Sequence, residues 1–158
     1  MTDSGIRVDD REVILALSRL SFKQMNKAYR TAMKKSLDPI LKQTKANLRS
    51  SGIKHVTKPY VSKKTGKRYP SMVQGVRTSV YIGNTEDSYG KVHIMKEFRL
   101  KWFEMGTSIR QTRKGYNRGS ITPKWFFRQA VDQKSREAEQ TLDDNIRDAI
   151  IKAWDNKK

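Results

Sequence analysis

An aromatic segment, residues 98–130, constrains the fold most. It contains two of the three tryptophans and four of the five phenylalanines in a chain of 158 residues. Large aromatic side chains bury the most apolar surface, so we expect this segment to supply much of the core. Between its aromatic ends lies a polar basic loop, residues 107–121, without a single acidic residue. The cations of this loop are Arg110, Arg113, Lys114 and Arg118.

A helix start follows the basic loop. Thr122 is a suitable cap for a first turn, and Pro123 suits the first helical position, where its missing N–H is not needed. Ile121 and Phe126 are placed for a hydrophobic staple across that turn. We therefore predict a long helix over residues 123–155, with apolar residues at helical spacing on its buried side.

Two motifs in the same segment resemble a known protein family. They are WFEMGTS at 102–108 and PKWFFRQA at 123–130. Their order is similar to that in small siphophage tail-completion (head–tail joining, minor tail) proteins. The family signature is aromatic–Glu–aromatic–Gly-Thr-Ser, then a Pro-Phe helix start ending in Arg-x-Ala. Met105 stands where the family has its second aromatic residue, and two residues separate Pro123 from Phe126. The residues that carry the resemblance are Trp102, Phe103, Glu104, Gly106, Thr107, Pro123, Phe126, Arg128 and Ala130.

The resemblance implies a non-enzymatic structural virion protein of a tailed phage or prophage. Such a protein would act in tail completion or head–tail joining, as a homo-oligomeric ring around the DNA channel. Its partners would be further copies of itself, other neck or tail proteins, and DNA contacted without sequence preference. Its location would be the host cytoplasm during assembly and then the neck or tail of the virion. The motif residues would have structural roles.

The charge of the chain is independent of that resemblance and points to a polyanionic partner. The net charge is +18, and residues 19–84 contain sixteen basic residues and one acid, Asp38. Such an excess is self-repulsive unless an anion neutralises it, and nucleic acid is the first candidate. There is no cysteine, so the chain has neither a disulfide nor a thiol-based metal site. No apolar run approaches the roughly 20 residues that span a bilayer, and we expect no membrane contact. The polar, acidic N-terminus is unlike a secretory signal.

Helical patterns occupy the first third of the chain. We predict a flexible tail over residues 1–8 and a helical segment over 9–50, beginning at Asp9 or Asp10, within a single domain of residues 9–158. A restart is predicted at Ser21 by its capping-box spacing to Gln24. A break is predicted at Pro39, with Asp38 as the cap of the next helix.

Strand patterns follow. Residues 53–71 are predicted to form a basic hairpin or loop, whose cations are Lys63, Lys64, Lys67 and Arg68. Residues 72–105 are predicted to contain a sheet, with antiparallel strands at 72–82 and 91–96. Its end, residues 98–105, fits either a strand or a short helical turn that stops at Gly106, and the resemblance implies the turn. The fold class is therefore α+β: a small antiparallel β-sheet flanked by a long N-terminal helical segment and a long C-terminal helix.

Residue types suited to catalysis are sparse. His55 and His93 are the only histidines, and neither has the neighbours of a metal site or a nucleophilic triad. Glu97 and Glu104 fit an acid–base pair, or else structural hydrogen bonds to a neighbouring loop, which we favour. We expect no catalytic residue, metal or cofactor.

Two uses of the basic loops remain open at this stage. In the ring, the eight loop cations would face DNA, and exposed aromatic residues such as Tyr116 would contact other subunits, while Phe22 and Met25 belong to the core. In the alternative, the chain is a sequence-independent nucleic-acid-binding protein that works through the same loops.

Overall fold

The computed structural model describes residues 22–83, 88–94 and 97–155. The predicted tail, the helix start at Asp9 or Asp10 and the capping box at Ser21 lie outside these residues. The described chain is α+β, as predicted. Its elements in order are helix α1 (Phe22–Ser36), helix α2 (Asp38–Ser50), strands β1 (Tyr60–Val61) and β2 (Arg68–Tyr69), a 3₁₀ helix (Met72–Gly75), strands β3 (Arg77–Tyr81) and β4 (Tyr89–His93), helix α3 (Arg99–Met105) and helix α4 (Phe126–Asp155).

Helices α1 and α2 are separated at Leu37, which confirms the predicted break beside Pro39. Proline has no N–H, so it cannot donate to the carbonyl one turn earlier, and the helical ladder is interrupted. The predicted cap is wrong, because α2 begins at Asp38 itself and no side chain caps its first turn.

The C-terminal helix α4 packs along both α1 and α2. Its contact face carries the buried Ala130 and Ala138, and α1 contributes Ala32 and Met33. Helix α4 therefore joins α1 and α2, which make few contacts with each other. Met25, predicted to be in the core, is instead exposed.

Strands β3 and β4 form the predicted antiparallel hairpin, pairing Arg77 with His93 through to Tyr81 with Tyr89. The predicted strand over 72–82 is shorter than expected, because Met72–Gly75 forms a 3₁₀ helix; the second strand is shifted to Tyr89–His93. The hairpin lies against α1, where Arg30 Nη1 donates to the carbonyl of Val80 at 3.2 Å.

The main cluster of buried side chains joins α2, the segment that follows it, the 3₁₀ helix, the ends of the β3–β4 hairpin, α3 and α4. Its buried members are Leu48, Val56, Met72, Val76, Ile94, Leu100 and Phe126. The aromatic segment contributes less than predicted, because Phe98, Trp102 and Trp125 are 53%, 44% and 39% exposed. Most of the buried side chains in this cluster are not aromatic, with Phe126 as the exception.

Candidate functional site

The first group of predicted DNA-facing cations lies at the tip of a short hairpin. β1 pairs antiparallel with β2, and the Ser62 N–H donates to the Lys67 carbonyl at 2.9 Å. Gly66 turns the chain in the left-handed region, with φ of 65°. Lys63, Lys64, Lys67 and Arg68 are all exposed there. We call residues 60–69 the first basic hairpin.

The second group lies on a hairpin that was predicted only as a loop. The Arg118 N–H donates to the Arg110 carbonyl at 2.7 Å, and the Arg110 N–H donates to the Gly119 carbonyl at 3.1 Å. Gln111 and Asn117 form a β-bridge between these contacts. The four cations Arg110, Arg113, Lys114 and Arg118 are exposed, as is Tyr116. We call residues 108–119 the second basic hairpin.

The eight hairpin cations are free of described acidic partners. Ion pairs in the described part of the chain are Arg99–Glu97 and Lys134–Glu137, and neither includes a cation of the two basic hairpins. No hydrogen bond or ion pair between described residues joins one hairpin tip to the other. Each group of cations is therefore carried by its own hairpin.

The residues of the family-like motifs meet around a buried carboxylate. Glu104, only 6% exposed, accepts the backbone N–H groups of Phe127 and Arg128, each at 2.9 Å. These donors belong to the first turn of α4, which has no partners for them within the helix. A carboxylate at this end also interacts favourably with the helix dipole. We call the contact of residues 103–107 with residues 121–128 the Glu104 clamp.

Backbone hydrogen bonds complete the clamp. The Lys124 N–H donates to the Phe103 carbonyl at 2.8 Å, and the Thr107 N–H donates to the Ile121 carbonyl at 3.0 Å. The Thr107 hydroxyl in turn accepts the Ile121 N–H at 3.0 Å. Two segments that flank the second basic hairpin are thus fastened together at its base.

Gly106 is required for this close approach. Its backbone has φ of 73° and ψ of −176°, a region that side chains disfavour. A Cβ at this position would lie 2.7 Å from the Ile121 carbonyl oxygen and 2.8 Å from Pro123 Cδ. The motif glycine therefore both ends α3, as predicted, and admits the opposite chain.

The last helix starts later in the chain than predicted. α4 begins at Phe126, three residues after Pro123, and Thr122 is exposed rather than acting as a local cap. Trp125 adopts φ of 49°, which separates the extended segment from the helix. The cap comes from Glu104, a residue distant in sequence, so the local signal at Thr122 and Pro123 is misleading.

The remaining motif residues divide between core and surface. Phe126 and Ala130 are buried, and Asn47 of α2 donates its side-chain amide to the Phe126 carbonyl at 3.1 Å. Arg128 is exposed and its guanidinium lies 5.7 Å from the centre of the Trp125 ring. The motif therefore builds a scaffold, with Trp102 left exposed beside it.

Next to the first basic hairpin, Arg99 contacts Glu97, Tyr60 and Tyr69, a group of residues that sequence reasoning did not find. Arg99 donates from Nε to Glu97 Oε1 at 2.7 Å and from Nη2 to Oε2 at 3.0 Å. These bonds lower the pKa of the Glu97 carboxyl and raise the pKa of Arg99. The Arg99 guanidinium also lies 5.8 Å and 5.4 Å from the ring centres of Tyr60 and Tyr69. The Glu-x-Arg spacing was visible in sequence, but Tyr60 and Tyr69 are 39 and 30 residues away from Arg99.

Glu97 and Glu104 each have hydrogen-bond partners in the structure. Glu97 is paired with Arg99, and Glu104 is hydrogen bonded to α4. Within the described ranges, no three His, Asp or Glu side chains are grouped so as to hold a metal ion. No described helix combines the length and apolar character needed to cross a membrane.

Comparisons with protein-family models, with curated proteins and with solved structures found no match to this chain.

Proposed function

We propose that this protein is a structural component of a tailed-phage or prophage particle, acting in tail completion or head–tail joining as a homo-oligomeric ring around DNA. The observation that carries the DNA contact is the pair of exposed basic hairpins, with eight cations and no described acidic partner. The role in the particle rests on the family-like motifs. Their mutual contact in the Glu104 clamp supports reading them as one unit.

The hairpin tips suit contact with a phosphate backbone. Duplex DNA carries one negative charge per about 1.7 Å of its axis, and Lys or Arg contacts to it release counterions. Side chains at exposed tips reach phosphates without entering a groove, so they hold DNA without reading its sequence. This is the contact that a protein around a DNA channel requires.

An exposed apolar stripe on α3 suits contact between subunits. Phe98, Trp102 and Met105 recur at helical spacing and are each exposed. The rings of Phe98 and Trp102 meet edge to face, with centres 5.3 Å apart. A contiguous apolar face of this kind is typical of protein–protein contact sites.

Helix α4 offers a surface with a small excess of acids for such contacts. Residues 126–155 contain seven acids and five basic residues, in a chain whose net charge is +18. Its exposed acids are Asp132, Glu137, Glu139, Asp143, Asp144 and Asp148. Copies of a strongly cationic chain repel one another, and an acidic helix facing a neighbour's cations reduces that repulsion.

We propose no catalytic reaction for this protein. The two buried glutamates, which an acid–base mechanism would need, are already hydrogen bonded to Arg99 and to the start of α4. Their roles are structural in this proposal.

A second candidate function is a nucleic-acid-binding protein that works without a ring. It is favoured by the aromatic side chains of the first basic hairpin, since Tyr60 and Tyr69 stand beside Lys67 and Arg68. The two candidates differ in assembly: the first requires self-association and the second does not.

Fluorescence anisotropy with labelled duplex DNA at several salt concentrations tests the DNA contact. We expect the logarithm of the binding constant to fall linearly with log salt, by about 0.9 per phosphate contacted. Changing the four cations of either hairpin to Gln should flatten this slope. The matched control changes three exposed cations of α4, Arg136, Arg147 and Lys152, to Gln and should leave it unchanged. Equal slopes in all variants would remove the hairpins from DNA contact.

Light scattering on the same samples tests assembly. We expect a mass of several copies, lowered by Trp102→Ser together with Met105→Ser. Their control is Ile109→Ser, which alters an exposed apolar residue outside the α3 stripe. A strict monomer at all concentrations, with and without DNA, would contradict the ring and support the second candidate.

A further inference from the structure

A groove of about 570 Å³ lies between the segment after α2 and the segment before α4. Its lining includes Lys54, His55, Tyr60, Arg99, Phe103 and Lys124. A smaller cavity of about 170 Å³, lined by Tyr60, Ser62, Tyr69, Phe98 and Arg99, adjoins it. Tyr60 and Arg99 line both spaces, so the two spaces lie next to each other beside the first basic hairpin, and we refer to them together as the path.

Aromatic rings and cations alternate along this path. The rings of His55 and Tyr60 have centres 5.9 Å apart, and those of Tyr60 and Tyr69 are 6.2 Å apart. Lys67 Nζ lies 5.5 Å from the centre of the Tyr69 ring, so the path reaches the cationic tip of the hairpin. No described carboxylate lines either space.

Arg99 is fixed in position between the two spaces. Glu97 holds its Nε and Nη2, and no described residue accepts a hydrogen bond from Nη1. The central carbon of the guanidinium group also lies over the rings of Tyr60 and Tyr69. A fixed, planar donor of this kind can bond an acceptor on a ligand while losing little side-chain freedom.

We propose that this path binds a single strand of nucleic acid, with an unpaired base stacked on Tyr60 and phosphates near Lys54, Lys124 and the hairpin tip. Proteins that bind single strands combine a cationic groove with aromatic rings on which successive bases stack. A duplex keeps its base faces covered and offers phosphates alone. The inference therefore goes beyond the proposed function, because a protein that only surrounds duplex DNA needs no contact with bases.

An acidic protein segment would also match the cations of the groove, but it would leave the aromatic surfaces without a specific partner. The first basic hairpin carries the stacked tyrosines and four exposed cations within ten residues. This close alternation of ring and charge matches the repeating base and phosphate of a nucleotide chain.

Anisotropy with labelled oligothymidylate and with a duplex of equal length tests the proposal. We expect Tyr60→Ala to weaken binding to oligothymidylate about tenfold, in line with the loss of one stacked base, and to leave duplex binding within twofold. Tyr60→Phe keeps the ring and should retain binding to the single strand. Tyr81→Ala removes an exposed tyrosine from β3, outside the path and outside both basic hairpins, and should change neither affinity.

Circular dichroism of each variant checks that the fold is kept. If Tyr60→Ala unfolds the chain, Tyr60→Leu keeps the bulk of the side chain and removes the aromatic face. Unchanged oligothymidylate binding in the folded variant would overturn the proposal and leave the duplex contact of the hairpins intact. Self-association that is lost in Tyr60→Ala, with unchanged single-strand binding, would assign the path to a protein partner instead. Binding to neither polymer would overturn both this inference and the DNA contact of the proposed function.

Discussion

The Glu104 clamp and the tips of the two basic hairpins use charge in opposite ways. In the clamp, one carboxylate is buried and accepts two backbone N–H groups, so its charge stabilises the fold. At the tips, eight cations are exposed and have no described acidic partner, so their charge remains for an external ligand. Substitutions in the clamp should therefore alter stability, and substitutions at the tips should alter binding.

Gly106→Ala should have the largest effect on stability. The added Cβ meets the backbone of Ile121 and the ring of Pro123, and the glycine-only backbone geometry is strained as well. We expect the free energy of unfolding to fall by about 3 kcal/mol. Urea denaturation followed by circular dichroism measures the change.

Gly115→Ala is the matched control, because Gly115 also has a positive φ, of 80°, but no atom within 4 Å of an added Cβ. It should cost about 1 kcal/mol, from backbone strain alone. Equal losses for the two variants would mean that the contact of Gly106 with the opposite segment adds nothing.

Glu104→Gln should have the next largest effect. The amide oxygen can accept one N–H of α4, but the amide nitrogen cannot replace the second acceptor, and the charge at the helix terminus is lost. We expect a loss of about 2 kcal/mol in the free energy of unfolding. Glu139→Gln, at an exposed carboxylate of the same helix, is the control.

Variants of the first basic hairpin test the other side of the contrast between the clamp and the tips. Changing Lys63, Lys64, Lys67 and Arg68 to Gln should move the unfolding free energy by less than about 1 kcal/mol in total, since each exposed substitution changes it by less than about 0.5 kcal/mol in either direction. If that variant were as unstable as Glu104→Gln, the proposed division between clamp and tips would be wrong.

Glu97 gives a smaller, pH-dependent effect. Because hydrogen bonds from Arg99 hold the pKa of Glu97 below its ordinary value of 4.5, the folded state favours the ionised carboxylate. This stabilisation is complete above that value and is lost as the pH falls through the lowered pKa of the folded state. We expect the stability difference between wild type and Glu97→Gln to shrink on acidification below about pH 4.5. A difference that is constant between pH 7 and pH 3 would contradict this role.

Locally encoded features could be predicted from the sequence. The break beside Pro39, the hairpin of β3 and β4 and the end of α3 at Gly106 each depend on neighbouring residues. The exposed cations of the candidate site were also predictable, since charged side chains are rarely buried without partners.

Features that depend on contacts between distant residues could not be predicted from the sequence. The start of α4 is set by Glu104, 23 residues before Phe127, and not by the attractive local signal at Thr122. Arg99 contacts Tyr60, which is 39 residues earlier in the chain. The aromatic composition did not indicate that Trp102 and Trp125 would remain exposed.

The position of the clamp at the base of the second basic hairpin has a consequence for how that hairpin can vary. The hydrogen bonds between Thr107 and Ile121 fix both ends of the intervening chain. Closing a flexible loop costs only about 0.6 kcal/mol more for each doubling of its length. The reach of this cationic arm can therefore be lengthened or shortened by insertion and deletion, while the body of the domain stays folded.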